Sequence, residues 1–340
     1  MKILGIETSC DDTAAAVIED GKKILSNLVA SQTNMHKMYG AIIPEIASRE
    51  HLNSIIPVIN NALDEAGITH NELDAVAVTN GPGLSGSLLI GVNVAKALGL
   101  AWDKKVLGIN HLEGHIYSAW LEDLFANSKL DFPITCLIAS GGHTDLIIMN
   151  GHLDYKIVAR TRDDAAGEAF DKIARVLGLG FPGGPEIQKA ALNEATSMKS
   201  FPRPNVKNSL DFSFSGLKTA VVRRAESDGF YPLKNIPPTP LQIQEYATEF
   251  QNAVVDCLID RTIKASEIYN CNGIILGGGV AANTHLRNKL TKDSNIPVLI
   301  PRTFLCTDNG AMIGAAAYYR FNEVATSDWD MDAVANLSLV

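Results

Sequence analysis

Two histidines four residues apart, His111 and His115, have the spacing in this chain that points most clearly to chemistry. On an α-helix, side chains at positions i and i+4 lie on the same face about one turn apart, so both imidazoles can bind one transition-metal ion. The apolar stretch Val106–Asn110 before them predicts a short buried strand. The pair would then open a helix at the carboxyl end of a strand, where open α/β sheets bind ligands. The alternative is a helix with two structural histidines.

The residues between these histidines argue against two known types of zinc enzyme. A zinc peptidase of the H-E-x-x-H type has its general-base glutamate next to the first histidine, whereas Glu113 lies two residues on, about 200° around the helix. The H-x-E order of zinc deaminases is present, but the P-C-x-x-C that completes their site is not. The pattern therefore predicts a metal site without peptidase or deaminase machinery.

The bulk composition is that of a globular protein, and 340 residues are enough for two domains. Acidic residues interrupt the opening apolar run, so no signal peptide is predicted. No uninterrupted apolar stretch approaches the roughly 18 residues of a membrane helix. The five cysteines are scattered singly, which favours neither a disulfide framework nor a cysteine zinc site. We expect a cytoplasmic protein without membrane association.

The net charge of −9 argues against broad non-specific binding to nucleic acids, but one segment departs from it. Residues 199–224 contain the single acid Asp211 and carry a net charge of +5. Their basic residues are Lys199, Arg203, Lys207, Lys218, Arg223 and Arg224. In an acidic chain this segment is the first candidate for contact with a polyanion, and an ordinary solvated face is the alternative.

The elements that must position these residues occur twice along the chain. KILGIE–TSCDD–TAAAVIED and ITCLIAS–GGHT–DLIIMN both predict a strand, a polar turn and a second strand. Each is followed by strands that lead through glycine-rich turns into helices. We therefore predict an α/β fold of two similar halves facing each other across a cleft. The expected domains are residues 1–125 with the C-terminal helix 305–325, and residues 130–304.

The repeat also supplies a third candidate metal ligand. Asp308 starts the helix of the second copy that corresponds to the helix of His111 in the first, and related helix starts are expected to meet across the cleft. Two histidines and one carboxylate, with open coordination positions, suit iron(II) or another divalent transition metal. The alternative for Asp308 is an N-cap, a position that aspartate favours.

Three turns could bind phosphate through backbone N–H groups and helix N-termini: Glu7–Thr13, Ser140–Thr144 and Gly277–Asn283. In a duplicated α/β chain they are typical of the actin, Hsp70 and sugar-kinase-like (RNase H-like) architecture. No G-x-x-x-x-G-K-[ST] is present, which excludes a P-loop, and no G-x-G-x-x-G follows the first strand. Asp171, on a predicted helix over residues 165–178, is either an exposed acid or a ribose ligand. Gly184 leaves room for a ligand in the FPGGP turn.

Eight motifs in order make a specific resemblance over essentially the whole chain: ETSCDDT, HLEGHIYS, LIASGGHTDL, GEAFDK, FPGGPEI, FSFSGLKTAVV, GGGVAAN and CTDNGAMIG. They resemble the bacterial tRNA N6-adenosine threonylcarbamoyltransferases, the TsaD family (formerly Gcp, "glycoprotease"). The resemblance implies an actin-like duplicated fold. It also implies transfer of a threonylcarbamoyl group from threonylcarbamoyl-AMP to N6 of the adenosine 3′ of the anticodon, in tRNAs that read codons beginning with A.

The resemblance assigns roles to residues of this chain. It implies a metal site of His111, His115 and Asp308 for iron(II), with zinc or magnesium as alternatives, and a catalytic part for Asp11 in the first turn. After the PGGP turn, many members of the family have an aspartate at the position where this chain has Gln188. The amide of Gln188 can still hydrogen-bond a ribose hydroxyl. The other implied contacts of the adenylate are Ile138, Ala139, Ser140, Gly141, Gly142, Asp171, Gly184 and Asn283.

The implied donor is a mixed anhydride that is already activated, so no protein nucleophile is required. The protein must orient the donor carbonyl, stabilise developing negative charge and let AMP leave. A metallopeptidase would lack a correctly placed base, and an actin-like ATPase or sugar kinase has no use for the histidine helix. The resemblance further implies an inactive paralogue (TsaB), a small ATPase (TsaE) and a separate enzyme that makes the adenylate. We expect tRNA to contact Arg223 and Arg224.

Overall fold

A computed structural model describes residues 1–125, 128, 130–191, 200–232, 237–323 and 329–340. The chain forms two compact units. Unit 1 comprises Met1–Leu130, Gly151–Tyr155 and Pro301–Val340, and unit 2 comprises Asp131–Asn150 and Lys156–Ile300. Each unit contains one five-stranded sheet with helices packed on it.

The strands are β1 Lys2–Glu7, β2 Asp12–Glu19, β3 Lys23–Ser31, β4 Ala75–Gly81, β5 Lys105–Asn110, β6 Ile134–Ala139, β7 Thr144–Gly151, β8 Asp154–Arg160, β9 Gly273–Gly277 and β10 Val298–Leu299. The helices are α1 Thr33–Lys37, α2 Pro44–Ala66, α3 Ser85–Trp102, α4 His111–Tyr117, α5 Ala166–Val176, α6 Gly183–Ala190, α7 Ser215–Ser227, α8 Pro240–Ile268, α9 Thr284–Asp293, α10 Thr303–Cys306 and α11 Gly310–Glu323.

The two sheets have the same topology. Their strand orders are β3-β2-β1-β4-β5 and β8-β7-β6-β9-β10. In each, the first strand pairs antiparallel with the second and parallel with the fourth. The central strands are continuous apolar runs because both of their faces are buried. The predicted duplicated α/β fold is confirmed.

Helix α11 packs closely on β1 and β2 of unit 1, although it follows the last strand of the second sheet in sequence. The approach requires glycine, because a Cβ atom at Gly5 would collide with the carbonyl oxygen of Gly310. A Cβ atom at Gly310 would in turn collide with the backbone of Ala15 and Ala16. This packing fixes the segment before α11 beside the carboxyl end of β1.

Among the described residues, α3 is the one helix long and apolar enough to cross a membrane by length and composition. Core helices share those properties. Its buried face, which includes Leu88, Val92 and Ala95, packs against β4 and α2. This face accounts for part of the helix only, since 33% of α3 is buried and Leu89 and Leu100 are exposed.

Candidate functional site

His111, His115 and Asp308 come together in unit 1. Asp308 Oδ1 lies 3.3 Å from His115 Nε2 and 3.6 Å from His111 Nε2. One ligand atom from each residue lies within 4.8 Å of the others. The two imidazole rings are T-shaped, with centroids 4.7 Å apart. This arrangement has the donor set of a site for one divalent metal ion.

Helix capping explains how the three side chains are presented. Asn110 caps α4, since its Oδ1 accepts a hydrogen bond of 2.9 Å from the N–H of Leu112. Asn309 caps α11 in the same way, accepting from the N–H of Met312 at 3.0 Å. The N-cap alternative for Asp308 is therefore wrong, because the cap is the next residue along the chain.

The expected meeting of helix starts across two halves also needs correction. The segment Pro301–Val340 belongs to unit 1, as do both histidines. Helices α4 and α11 pack on each other at Gly114, where an added Cβ atom would lie 2.9 Å from Ile313. The cluster therefore forms within unit 1.

Glu7, which sequence reasoning did not assign to the cluster, holds the far side of the His111 ring. Its Oε2 lies 3.0 Å from His111 Nδ1 and accepts a hydrogen bond of 2.6 Å from the hydroxyl of Thr79. Ser9 contributes a hydroxyl 3.1 Å from the same Nδ1. Because a carboxylate accepts, Nδ1 carries the proton and Nε2 faces Asp308, as in histidines that bind metals. The sequence signal for Glu7 was a lone acid at the end of an apolar strand.

The electrostatics of the cluster favour a cation. Burial disfavours a charged imidazole, yet the carboxylates of Asp308 and Glu7 raise the pKa of His111 to about 9. Burial, together with the charge of Asp308, raises the pKa of Asp11. Burial and neighbouring carboxylates raise the pKa of Asp12 to about 7. The carboxylates of Asp11, Asp12 and Asp308 thus repel one another, and a bound metal ion would offset that repulsion.

His115 provides a test of whether a metal ion fits. Its side chain is fully buried. Nδ1 has no hydrogen-bond partner among the described residues, and Nε2 faces Asp308 Oδ1 at 3.3 Å without a well-directed hydrogen bond. Buried polar atoms are rarely left unsatisfied, since each costs about 1–3 kcal/mol. A metal ion held through His115 Nε2 would satisfy one of them. The residues present therefore fit the ion.

Glu113 faces away from the cluster. Its side chain is fully buried and accepts hydrogen bonds from Arg320 Nε at 2.6 Å and from the Tyr155 hydroxyl at 2.9 Å. A carboxylate held in this ion pair cannot act as the base of a zinc peptidase at the metal. The structure and the sequence motif therefore both argue against Glu113 as the base of a zinc peptidase.

In unit 2, the turn Ser140–His143 joins β6, which ends with the buried Ile138 and Ala139, to β7. The N–H of Ser140 donates to the carbonyl of His143 at 2.8 Å, which closes the turn. Gly141 and Gly142 are exposed, and a Cβ atom at either would meet nothing within 4 Å. Their backbone is therefore open to a ligand.

Two glycine-rich turns of unit 2 lie beside the residues predicted to bind the donor. Gly278, with φ +85°, packs its backbone against Ala139 so tightly that a Cβ atom would collide with the carbonyl of Ala139. One carboxylate oxygen of Asp171, on α5, accepts a hydrogen bond of 2.6 Å from the N–H of Gly183 at the start of α6. A Cβ atom at the neighbouring Gly184 would meet nothing within 4 Å.

Gln188 and Asn283 already make contacts within unit 2. Gln188 Oε1 accepts hydrogen bonds from the N–H of Thr284 at 2.7 Å and from its hydroxyl at 3.2 Å. Asn283 Oδ1 caps α9 through the N–H of Leu286 at 2.9 Å, and its Nδ2 donates to Gln251 at 2.8 Å. Both residues support the turn before α9.

Several charged residues of the basic segment pair with residues outside it, and its one acid, Asp211, pairs with Arg162 at 2.8 Å. Lys199 lies outside the described residues. Arg203 pairs with Asp256 at 2.8 Å and Lys218 with Asp164 at 2.5 Å, and both acids come from outside the segment. Two further residues, Arg223 and Arg224, lie on α7. The Arg223 side chain is exposed, whereas Arg224 stacks over the ring of Phe201.

Comparison with known proteins agrees with the resemblance of the motifs. Residues 23–315 match the family model for TsaD, tRNA N6-adenosine threonylcarbamoyltransferase. The chain is 50% identical to the enzyme of that name from Thermomicrobium roseum, covering 100% of this chain and 97% of the relative. It is also 50% identical to that of Dehalococcoides mccartyi, covering 100% and 99%.

A solved structure, component A of the (R)-2-hydroxyglutaryl-CoA dehydratase of Acidaminococcus fermentans, superimposes with a TM-score of 0.56. It is 14% identical and covers 94% of this chain and 98% of its own, which shows a shared actin-like fold. The names of the sequence relatives favour neither the peptidase nor the kinase alternative. The chain belongs to the TsaD family of tRNA N6-adenosine threonylcarbamoyltransferases, and it forms N6-threonylcarbamoyladenosine in tRNA.

Proposed function

We propose that His111, His115 and Asp308 bind one divalent metal ion, iron(II) rather than zinc or magnesium, for this transfer. The observation that carries the proposal is a buried His–His–carboxylate cluster in which Glu7 fixes the outer nitrogen of one imidazole at 3.0 Å. Two histidines and one carboxylate are a frequent ligand set of non-haem iron(II). When bound, such an ion supplies Lewis-acid polarisation of a substrate oxygen.

The donor in this proposal is threonylcarbamoyl-AMP, and its AMP portion binds unit 2. The exposed backbone of Gly141 and Gly142 is open to phosphate, and the N-termini of α6 and α9 favour negative charge. Asp171 and Gln188 lie next to those two helix starts, with a carboxylate and an amide for ribose hydroxyls. The remaining proposed contacts are Ile138, Ala139, Ser140, Gly184 and Asn283.

Asp11 is the proposed acceptor of the proton that the attacking amine loses. It lies in the turn between β1 and β2, near enough to Asp308 for that charge to raise its pKa. A base is most effective when its pKa approaches the working pH, so this shift improves Asp11 as a proton acceptor. The donor carbonyl is already activated, and orientation together with this proton transfer is what the chain itself must supply.

The acceptor in this proposal is the adenosine 3′ of the anticodon, in tRNAs that read codons beginning with A. Arg223 and Arg224 are proposed to touch its phosphates. We also propose that the chain works in the cytoplasm with an inactive paralogue (TsaB) and a small ATPase (TsaE). We further propose that residues 1–125 together with 305–325 form one functional domain, and that residues 130–304 form the other.

The test is reconstitution from purified parts. The chain, its two partners, iron(II) and tRNA are incubated with synthetic threonylcarbamoyl-AMP, and tRNA nucleosides are analysed by mass spectrometry. We expect N6-threonylcarbamoyladenosine without added threonine or bicarbonate, and none in a tRNA with guanosine at the target position. Product formed only when threonine and bicarbonate are supplied would contradict threonylcarbamoyl-AMP as the donor. Equal activity with iron(II), zinc and magnesium would contradict the metal assignment.

A further inference from the structure

The turn between β1 and β2 is fixed from two neighbouring helices. From α3 and the residue before it, the N–H of Leu84 donates to the carbonyl of Ser9 at 2.8 Å, and the carbonyl of Ser87 accepts from the hydroxyl of Thr8 at 3.0 Å. From α2, His51 reaches the other half of the turn. The backbone on either side of Asp11 is therefore held by other elements.

His51 makes two hydrogen bonds that bracket the acidic pair. Its Nε2 lies 3.0 Å from the carbonyl of Cys10, and its Nδ1 lies 2.7 Å from the hydroxyl of Thr13. Because a carbonyl only accepts, Nε2 carries the proton and Nδ1 accepts from the hydroxyl. The side chain is fully buried, and burial lowers its pKa, which keeps the ring neutral in this one tautomer.

Packing alone does not account for a histidine at this position. The apolar side of α2 is made by Ile55, Ile59 and Ala62, which pack in the core of unit 1. Burying a polar ring there costs free energy unless both nitrogens are hydrogen-bonded, as they are. Asp11 and Asp12 are adjacent acids whose charges repel each other, so the turn needs an anchor at each end to keep them in place.

We propose that His51 is a positioning residue for the transfer reaction. It holds Cys10 and Thr13, and through them it fixes Asp11 and Asp12 beside the metal cluster. The inference rests on the proposed catalytic part of Asp11. Helix α2 would thus help to position Asp11 through His51, although no side chain of α2 belongs to the cluster of His111, His115 and Asp308.

The test compares kcat and KM of variants with the full set of partners. His51→Ala should lower kcat on the order of tenfold to a hundredfold, because small misplacements of a reacting group have effects of that size. KM for tRNA and for donor should stay within about twofold, since neither substrate touches His51. His51→Gln should retain kcat within about threefold, because its amide offers a donor and an acceptor in similar places.

Two more variants separate positioning from general stability. Ile55→Ala, four residues along α2, opens the core without removing either hydrogen bond of His51 and should lower the unfolding temperature while leaving kcat unchanged. Thr13→Val keeps the shape but leaves His51 Nδ1 without a donor, so a several-fold fall in kcat is expected. Thr13→Val and His51→Gln decide the question if His51→Ala does not fold.

The outcomes distinguish this inference from the proposed function. If Asp11→Asn loses activity while folded His51→Ala keeps its kcat, the positioning role of His51 is wrong and the proposed role of Asp11 stands. If Asp11→Asn keeps full kcat, the proposed role of Asp11 fails and the inference fails with it. An equal fall of kcat in Ile55→Ala and His51→Ala would also overturn the inference, because it would reflect loss of stability alone.

Discussion

The two units share a fold, but the candidate site of one is formed by side chains and that of the other by backbone. In unit 1 the site consists of side chains, of which Glu7 and His115 have no exposed surface and Asp308 is 23% exposed. In unit 2 it consists of exposed backbone, since Gly141 and Gly142 have open space where a side chain would be. The same strand–turn–strand arrangement therefore presents clustered side chains in one copy and exposed backbone in the other.

The glycine turns that follow β4 and β9 show how this difference arises. In unit 1 the C-terminal segment covers the turn, because Val334 N–H donates to Asn80 at 2.7 Å and Gly83 N–H to Ala335 at 3.1 Å. In unit 2 a Cβ atom at Gly279 would meet nothing within 4 Å. A turn already filled by its own chain has no room for a nucleotide, which favours unit 2 as the side that binds AMP.

The strongest test of the unit 1 site removes a metal ligand. His115→Ala should reduce the metal content of the purified protein to background and abolish transfer, because only two ligands remain. Metal is measured by mass spectrometry of the elements and transfer by nucleoside analysis. His70→Ala, a histidine stacked on Trp102 near the surface, is the matched control. A full complement of metal in His115→Ala would disprove the ligand assignment.

A smaller effect is expected one contact farther from the metal. Glu7→Gln keeps the shape but removes the charge that holds His111, so metal affinity should fall about 10–100-fold. The measurement is a metal titration, with the exposed helical acid Glu65 changed to Gln as control. Unchanged affinity in Glu7→Gln would mean that His111 does not need this carboxylate to bind metal.

The unit 2 site is tested by adding a side chain where the fold tolerates one. Gly141→Val should leave the unfolding temperature within about 2 °C but weaken binding of an adenylate analogue about tenfold or more. Gly278→Val should instead destabilise the protein, because φ is +85° and Ala139 fills the space. Gly216→Val, in open space on α7, is the control for binding. Unchanged analogue affinity in a folded Gly141→Val would refute the site.

Local patterns predicted the fold and the meeting of His111, His115 and Asp308, because both depend largely on short-range geometry. Helical spacing places His111 and His115 together whatever surrounds them, and the repeat pointed to Asp308. The helix boundary was harder: the true cap, Asn309, is the residue immediately after Asp308, and helix ends are the least certain part of such predictions. Glu7 was missed because nothing in its neighbours shows which distant ring it faces.

Long-range pairing also determines which charges of the basic segment are engaged, and the sequence count of +5 could not show it. Arg203 and Lys218 count as positive in the sequence, but Asp256 and Asp164 pair with them from positions 53 and 54 residues away. A count within one segment cannot include the acids and bases that the fold brings from elsewhere, such as Lys172 on Asp164 and Lys289 on Asp256. The structure therefore distinguishes basic residues in ion pairs, such as Arg203 and Lys218, from an exposed one such as Arg223.

The smallest expected effect concerns Arg223 on α7, which tests whether an exposed basic residue of this segment contacts a tRNA phosphate. Arg223 is exposed, and we expect Arg223→Gln to reduce the salt dependence of tRNA binding by about one unit of slope, as for a lost phosphate contact. Arg203→Gln is the matched control, since Arg203 pairs with Asp256 and should leave the slope unchanged. Arg224 stacks over Phe201, so changing it would mix loss of charge with loss of packing. Binding is measured at several salt concentrations with both partners present. Equal slopes for Arg223→Gln and the unaltered protein would place the path of the tRNA away from α7.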